Sequence, residues 1–180
     1  CRNNQCIKIE NLGLPQEISE KIVRIKNANA NDRASISDLA DFLNVNDENR
    51  RIISPAVPIL IKTLELNQGE SLRESTENVR IDLLYILELI GSPEAIQAII
   101  KTIKTDPSQR VREDAAVSLG SVLKNYPETA EYIEYSIAAF ETESDERVKG
   151  LIIKAIAGNT ESERSRNFLV SVMKGPESDS

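Results

Sequence analysis

The side chains with chemistry to offer in this chain are two thiols, four tyrosines, the lysines and the carboxylates. None of the 180 residues is histidine. That removes the Ser-His-Asp and Cys-His nucleophile systems and every His-ligated zinc site. Two cysteines are too few for a four-thiolate zinc site. The 29 Asp and Glu residues fall mostly where helix caps and loops are expected, and no pair has a placement that suits general acid–base work. Asn44, Asn46 and Glu48 alternate oxygen side chains as a calcium loop does, but the turn glycine and the closing bidentate glutamate of an EF-hand are missing. The acidic run Glu141, Glu143, Asp145, Glu146 reads as a solvated turn between helices. No catalytic residue, metal-ligand set or cofactor is therefore assigned.

The two thiols lie close together, in CRNNQC. Three readings of Cys1 stand side by side. It is a fragment boundary; or it forms a small-loop disulfide with Cys6; or it is the first residue of a mature bacterial lipoprotein, whose signal peptide is cut just before a cysteine that then carries lipid. In the third reading Cys1 is the lipidation site and residues 1–14 are a flexible tether. Several acyl chains, at ~0.8 kcal/mol per buried CH₂, give stable anchoring. The protein is then membrane-associated on a periplasmic or lumenal side. The alternative is a soluble cytoplasmic protein; if Cys1 is lipidated as a thioether, Cys6 is left as a lone thiol.

Composition narrows the partners. The net charge is -7 and the pI about 4.8, with no dense Lys/Arg cluster, so no nucleic-acid partner is expected. The acidic balance repels anionic membrane surfaces, and no apolar run reaches the ~18 residues of a membrane span. Apolar residues are 40% and charged residues 28% of the chain, a soluble balance. Aromatics are only 4%, so Ile, Leu, Val and Ala must build the core.

The elements that position these groups repeat. AVPILIKTL from Ala56 and AIQAIIKTI from Ala95 agree, by identity or aliphatic exchange, at seven of nine positions, 39 residues apart. VRIDLLYILELIGSPEA from Val79, VREDAAVSLGSVL from Val111 and VKGLIIKAIAGN from Val148 each open on Val and a basic residue after a polar loop, at spacings of 32 and 37. Each unit reads as two helices. Arg80–Ile90 is apolar around most of its circumference. Gly91 stops it, Ser92 caps the next helix and Pro93 fits its first turn. Ile96, Ile99, Ile100 and Ile103 then form one buried stripe, with Gln97, Lys101 and Lys104 opposite. Asp106-Pro107 is expected to cap a helix over Arg112–Lys124, whose small Ala115–Ala116 pair admits a close neighbour. Ala130, Ile133, Ile137 and Phe140 stripe the next helix, and Val148–Ala157 is another. Thr160 and Glu163 suggest a capping box for the last helix, which bears Phe168, Leu169, Val172 and Met173. Toward the N-terminus, Gln16–Lys26 is a helix, Ser35 and Asp38 suggest a capping box for a second, and NVNDENRR reads as a loop. About nine helices and no strand are expected.

The residues Val111, Arg112, Ala115, Ala116, Leu119 and Gly120, with Gly91, Pro93, Glu94, Ala95 and Ala56-Val57-Pro58, resemble the HEAT-like repeats of phycobiliprotein lyases and many bacterial scaffold proteins. The resemblance spans Ala56–Lys174 and implies an all-α fold: a HEAT-like α-solenoid of about four helix pairs, one domain over 15–174, with an N-terminal helical cap and a disordered tail at 175–180. It implies a ridge of first helices and a groove lined by second helices that holds a protein or peptide partner. Gln97, Lys101, Lys104, Glu131, Tyr132, Glu134 and Tyr135 are the candidate groove residues. The two tyrosines are expected to be exposed, as interface tyrosines are. It also implies a ladder in which Arg80, Arg112 and, near the third repeat, Lys149 bond acids of neighbouring repeats, with Asp82, Asp114 and Asp145 available. The function so implied is a non-enzymatic protein-binding scaffold or adaptor in a larger assembly. The alternative is a lyase-like chaperone for a phycobilin chromophore.

Overall fold

The aliphatic spacings fold as helices throughout the computed structural model, which describes residues 9–27, 33–68, 74–126, 132–159 and 162–174. Among these the regular elements are ten α-helices and two 3-10 turns, with no strand. Two compact units form, Cys1–Ala98 and Ile99–Ser180. The repeat domain expected over 15–174 is divided between them at a point inside one helix. Cys1, Cys6 and the tail 175–180 lie outside the described residues.

In the first unit, Ile9–Asn11 makes a 3-10 turn within the segment expected as a tether, and Ile9 is buried. Gly13, at φ 66°, then turns the chain into α1, Gln16–Lys26. Ile18, Ile22 and Ile25 bury one face of α1. Helix α2, Arg33–Asn44, buries Ile36, Leu39, Ala40 and Leu43. It begins before Ser35, so that serine is a buried residue of the first turn instead of the expected cap. The expected loop NVNDENRR contains a helix, α3, Asp47–Ile53. The Asn46 side chain accepts the Asn49 N–H at 2.9 Å, and Asp47 and Glu48 favour the positive helix start. After a 3-10 turn at Ser54–Ala56 comes α4, Val57–Gln68, with Val57, Ile59, Leu60 and Leu64 buried. Helix α5, Glu74–Ile90, packs on both α2 and α4, burying Val79, Leu83, Leu84, Ile86, Leu87 and Ile90. Its Arg80 is fully buried and donates to the Asn67 carbonyl at 3.0 Å. Gly91, at φ 60°, ends the helix as expected. The Ser92 hydroxyl accepts the Ala95 N–H to start α6, Pro93–Thr105.

In the second unit, α7 runs from Gln109 to Asn125. Its cap is Ser108, whose hydroxyl accepts the Val111 N–H; Asp106, expected as the cap, instead accepts the Ser108 N–H at 2.9 Å and shapes the turn. Helix α8, Tyr132–Thr142, buries Ile133 and Ile137. Helix α9, Glu146–Ala157, is capped by Asp145, which accepts the N–H groups of Arg147 and Val148. Helices α7 and α9 share the broadest packing of the unit. A Cβ at Gly120 would lie 3.5 Å from Ala155, which shows how closely these backbones approach. Helix α10, Glu163–Lys174, sets Phe168 edge-on to Phe140, centroids 5.2 Å apart. Ser162 accepts the first-turn N–H of Ser165; Thr160 lies outside the described residues.

Candidate functional site

Gln97, Lys101 and Lys104 are exposed on α6, on the side opposite the buried isoleucine stripe, as their spacing requires. Glu131 lies outside the described residues. The two tyrosines part company. Tyr135 is 55% exposed, whereas Tyr132 is 3% exposed and belongs to the core. The expectation of two exposed rings on α8 is corrected accordingly. A signal was present in the sequence: Tyr132 shares the i, i+4, i+7 spacing of Ser136 and Ala139, which are buried on the same helix. The two ring centroids are 6.1 Å apart and the planes are tilted by 41°. Glu134 is exposed and pairs with Arg164 of α10, Nη2 to Oε2 2.9 Å.

The basic ladder takes a different partner from those expected. Arg112 of α7 grips Glu143 with two bonds, Nε to Oε2 at 2.8 Å and Nη2 to Oε1 at 3.2 Å, and donates from Nη1 to the Asp106 carbonyl at 3.1 Å. Asp114 and Asp145 play no part in that grip. The Glu143 Oε1 also accepts the Ser144 and Asp145 N–H groups, each at 2.9 Å. Burial works against the Glu143 charge, but the Arg112 bonds and charge and the two backbone N–H groups outweigh it and hold the carboxyl below its ordinary range. Asp114 moves the other way: burial raises it, with the Glu113 charge adding and the Arg110 charge opposing. Lys149 reaches Glu146 of its own helix at 3.0 Å and lies 5.8 Å from the Phe140 ring centre, so it is not a rung reaching another repeat. These are structural groups: they fix turns and helix starts.

Among the described residues each unit holds a cleft between two helices. One, of about 300 Å³, separates α2 from α5 and is lined by Ala34, Ile36, Ser37, Ala40, Asp82 and Tyr85. The Tyr85 hydroxyl accepts from Asn44 at 3.2 Å. The Asn46 side chain is the α3 cap, and no group of three or more acidic or thiol side chains able to hold a metal occurs among the described residues. The other cleft, of about 330 Å³, separates α7 from α9 and is lined by Ala116, Val117, Gly120, Ser121, Lys124, Leu151, Lys154, Ala155 and Gly158. The sequence reading placed binding on the second helices and missed these clefts. A register signal marks them: the sixth residue after the opening Val of each repeat is Tyr85, Val117 or Lys154, and each lines a cleft.

No helix among the described residues is long and apolar enough to cross a membrane. A family model described as HEAT repeats matches residues 69–157, the stretch from the start of α5 through α9. No curated protein and no solved structure matches the chain.

Proposed function

The chain is a HEAT-like repeat protein, and from that premise we propose that it is a non-enzymatic protein-binding scaffold or adaptor. HEAT repeats commonly mediate protein–protein interaction, and the match over α5–α9 is the observation on which the reading rests. Stacked helix pairs bury the faces they share and leave long outer faces to partners. Tyr135 supports the reading locally, as an amphipathic ring 55% exposed beside the Glu134–Arg164 pair. Gln97, Lys101 and Lys104 offer polar contacts on α6.

The test is site-specific photocrosslinking in native extract. A photoreactive phenylalanine at position 135 should give a discrete protein adduct, and the same group at exposed Met173, a non-site control on α10, should not. Adducts equally diverse at both positions would refute the assignment. A lipid on Cys1 would add a membrane address to this scaffold. An acylated-glyceryl mass on the N-terminal peptide from native membranes supports that part; an unmodified thiol removes it and leaves protein binding untouched.

A further inference from the structure

The α7/α9 cleft combines two features that point to one kind of occupant. Its floor is apolar and made of small residues, with Gly120 and Ala155 in close approach and Val117 and Leu151 beside them. Lys124 and Lys154, on opposite helices, both line it. Neither amine has a partner among the described residues. In a chain of net charge -7, that places two cations with no partner among the described residues over an apolar trough. Both lysines stand in the last turns of their helices, where a cation favours the helix end; that role alone does not require an apolar trough between them.

We propose that this cleft docks a short acidic segment of a protein partner, with an apolar side chain on the small-residue floor and carboxylates toward Lys124 and Lys154. The inference rests on the protein-binding reading and locates it on the first helices. The cleft is open, since Val117 is 53% exposed; a small-molecule site would bury most of its ligand. From Ala116 to Lys124 the lining extends eight residues along α7, about 12 Å at 1.5 Å per residue. About four residues of extended peptide cover that length.

The probe is a fluorescein-labelled peptide with two leucines followed by three glutamates, flanked by glycines, titrated against the full chain by fluorescence polarisation. Saturable binding is expected. It should weaken roughly tenfold when both Lys124→Glu and Lys154→Glu are present, and less when both are Lys→Gln. It should also weaken severalfold as salt rises from about 0.15 M to 1 M, where screening shortens the reach of charge. A lysine-for-glutamate version of the peptide should not bind. The glutamine pair keeps the test sound should the charge reversals disturb folding, which circular dichroism reads directly. Absence of saturable binding, equal affinity for both Lys variants and the parent chain, or equal binding of the basic peptide would each overturn the proposal. Binding of octanoate without the peptide would overturn it too, as a small carboxylate site. Tyr135→Ala should leave the peptide affinity unchanged. A loss there with none in the lysine variants places protein binding on α8 and removes it from the cleft, so the two readings fail separately.

Discussion

Replacing Arg112 and Glu143 singly and together measures how strongly α7 is tied to the start of α9. The Glu143 side chain is 4% and the Arg112 side chain 17% exposed, and they share two bonds. Charge-assisted bonds contribute about 1.5–3 kcal/mol each, less where water competes. Glu143→Gln keeps a carbonyl that can accept the Ser144 and Asp145 N–H groups, and Arg112→Met keeps the apolar stem, so the cycle isolates the guanidinium–carboxylate pair. The expected coupling is about 2 kcal/mol, below the ~3 kcal/mol that two such bonds would sum to, because Arg112 is partly wet and paired bonds do not add fully. Each single variant should lower Tm by roughly 4–8 °C, at about 2–4 °C per kcal/mol for a chain of this size. Urea unfolding followed at 222 nm gives the energies. The pH dependence supplies a second check. The folded Glu143 carboxyl sits below its ordinary value of 4.5, so its contribution is complete above that value and is lost as pH falls through the lower folded one. The coupling should therefore be equal at pH 7 and pH 5 and fade in stronger acid. A coupling under about 0.5 kcal/mol at pH 7, or one that persists unchanged in strong acid, would refute the assignment.

Two glycines should respond with opposite signs. Gly91→Ala forces a side chain into φ 60° and should cost about 1 kcal/mol or more, while Gly150→Ala, inside α9 with nothing within 4 Å of the new Cβ, should stabilise by about 0.5–1 kcal/mol, both read by chemical denaturation. Tyr132→Ala should destabilise by about 3 kcal/mol because its ring is buried, whereas Tyr135→Ala should leave Tm nearly unchanged and reduce the photocrosslinked adduct formed from a neighbouring α8 position. Asp114→Asn should raise stability at pH 7 and have no effect in strong acid: the folded carboxyl is raised above 3.8, so ionising it costs stability above the folded value and nothing below the unfolded one. Adding a bilin should produce no absorbance shift; a shift would favour the chromophore-chaperone alternative.

Periodicity made the helices legible wherever it was long enough to count. Ile96, Ile99, Ile100 and Ile103 announced α6, and Gly91-Ser92-Pro93 announced the turn before it. Helix α3 escaped because seven mostly polar residues carry too little periodicity; its start depends on a single cap, Asn46. Cap positions slipped by two residues at Asp106 and Ser108 because both types cap well and only turn geometry chooses between them. Tyr132 misled because polar neighbours at 131 and 134 disguised a core position. The Arg112 partner lies 31 residues away, and the sequence offered several acids at comparable separations without the loop geometry that selects Glu143. The clefts depend on how nearly two backbones approach, a distance set by Gly120 and Ala155 together rather than by either alone.

The one carboxylate of Glu143 accepts both from the α7 guanidinium and from the Ser144 and Asp145 amides just before α9, with Oε1 shared between them. The consequence is a rule about insertions and deletions. Adding one residue between Thr142 and Asp145 is expected to move the carboxylate off either Arg112 or the two amides. In this unit the spacing of neighbouring helix pairs is thus written into one side chain, and length changes at that turn should be far less tolerated than its exposed, polar composition suggests.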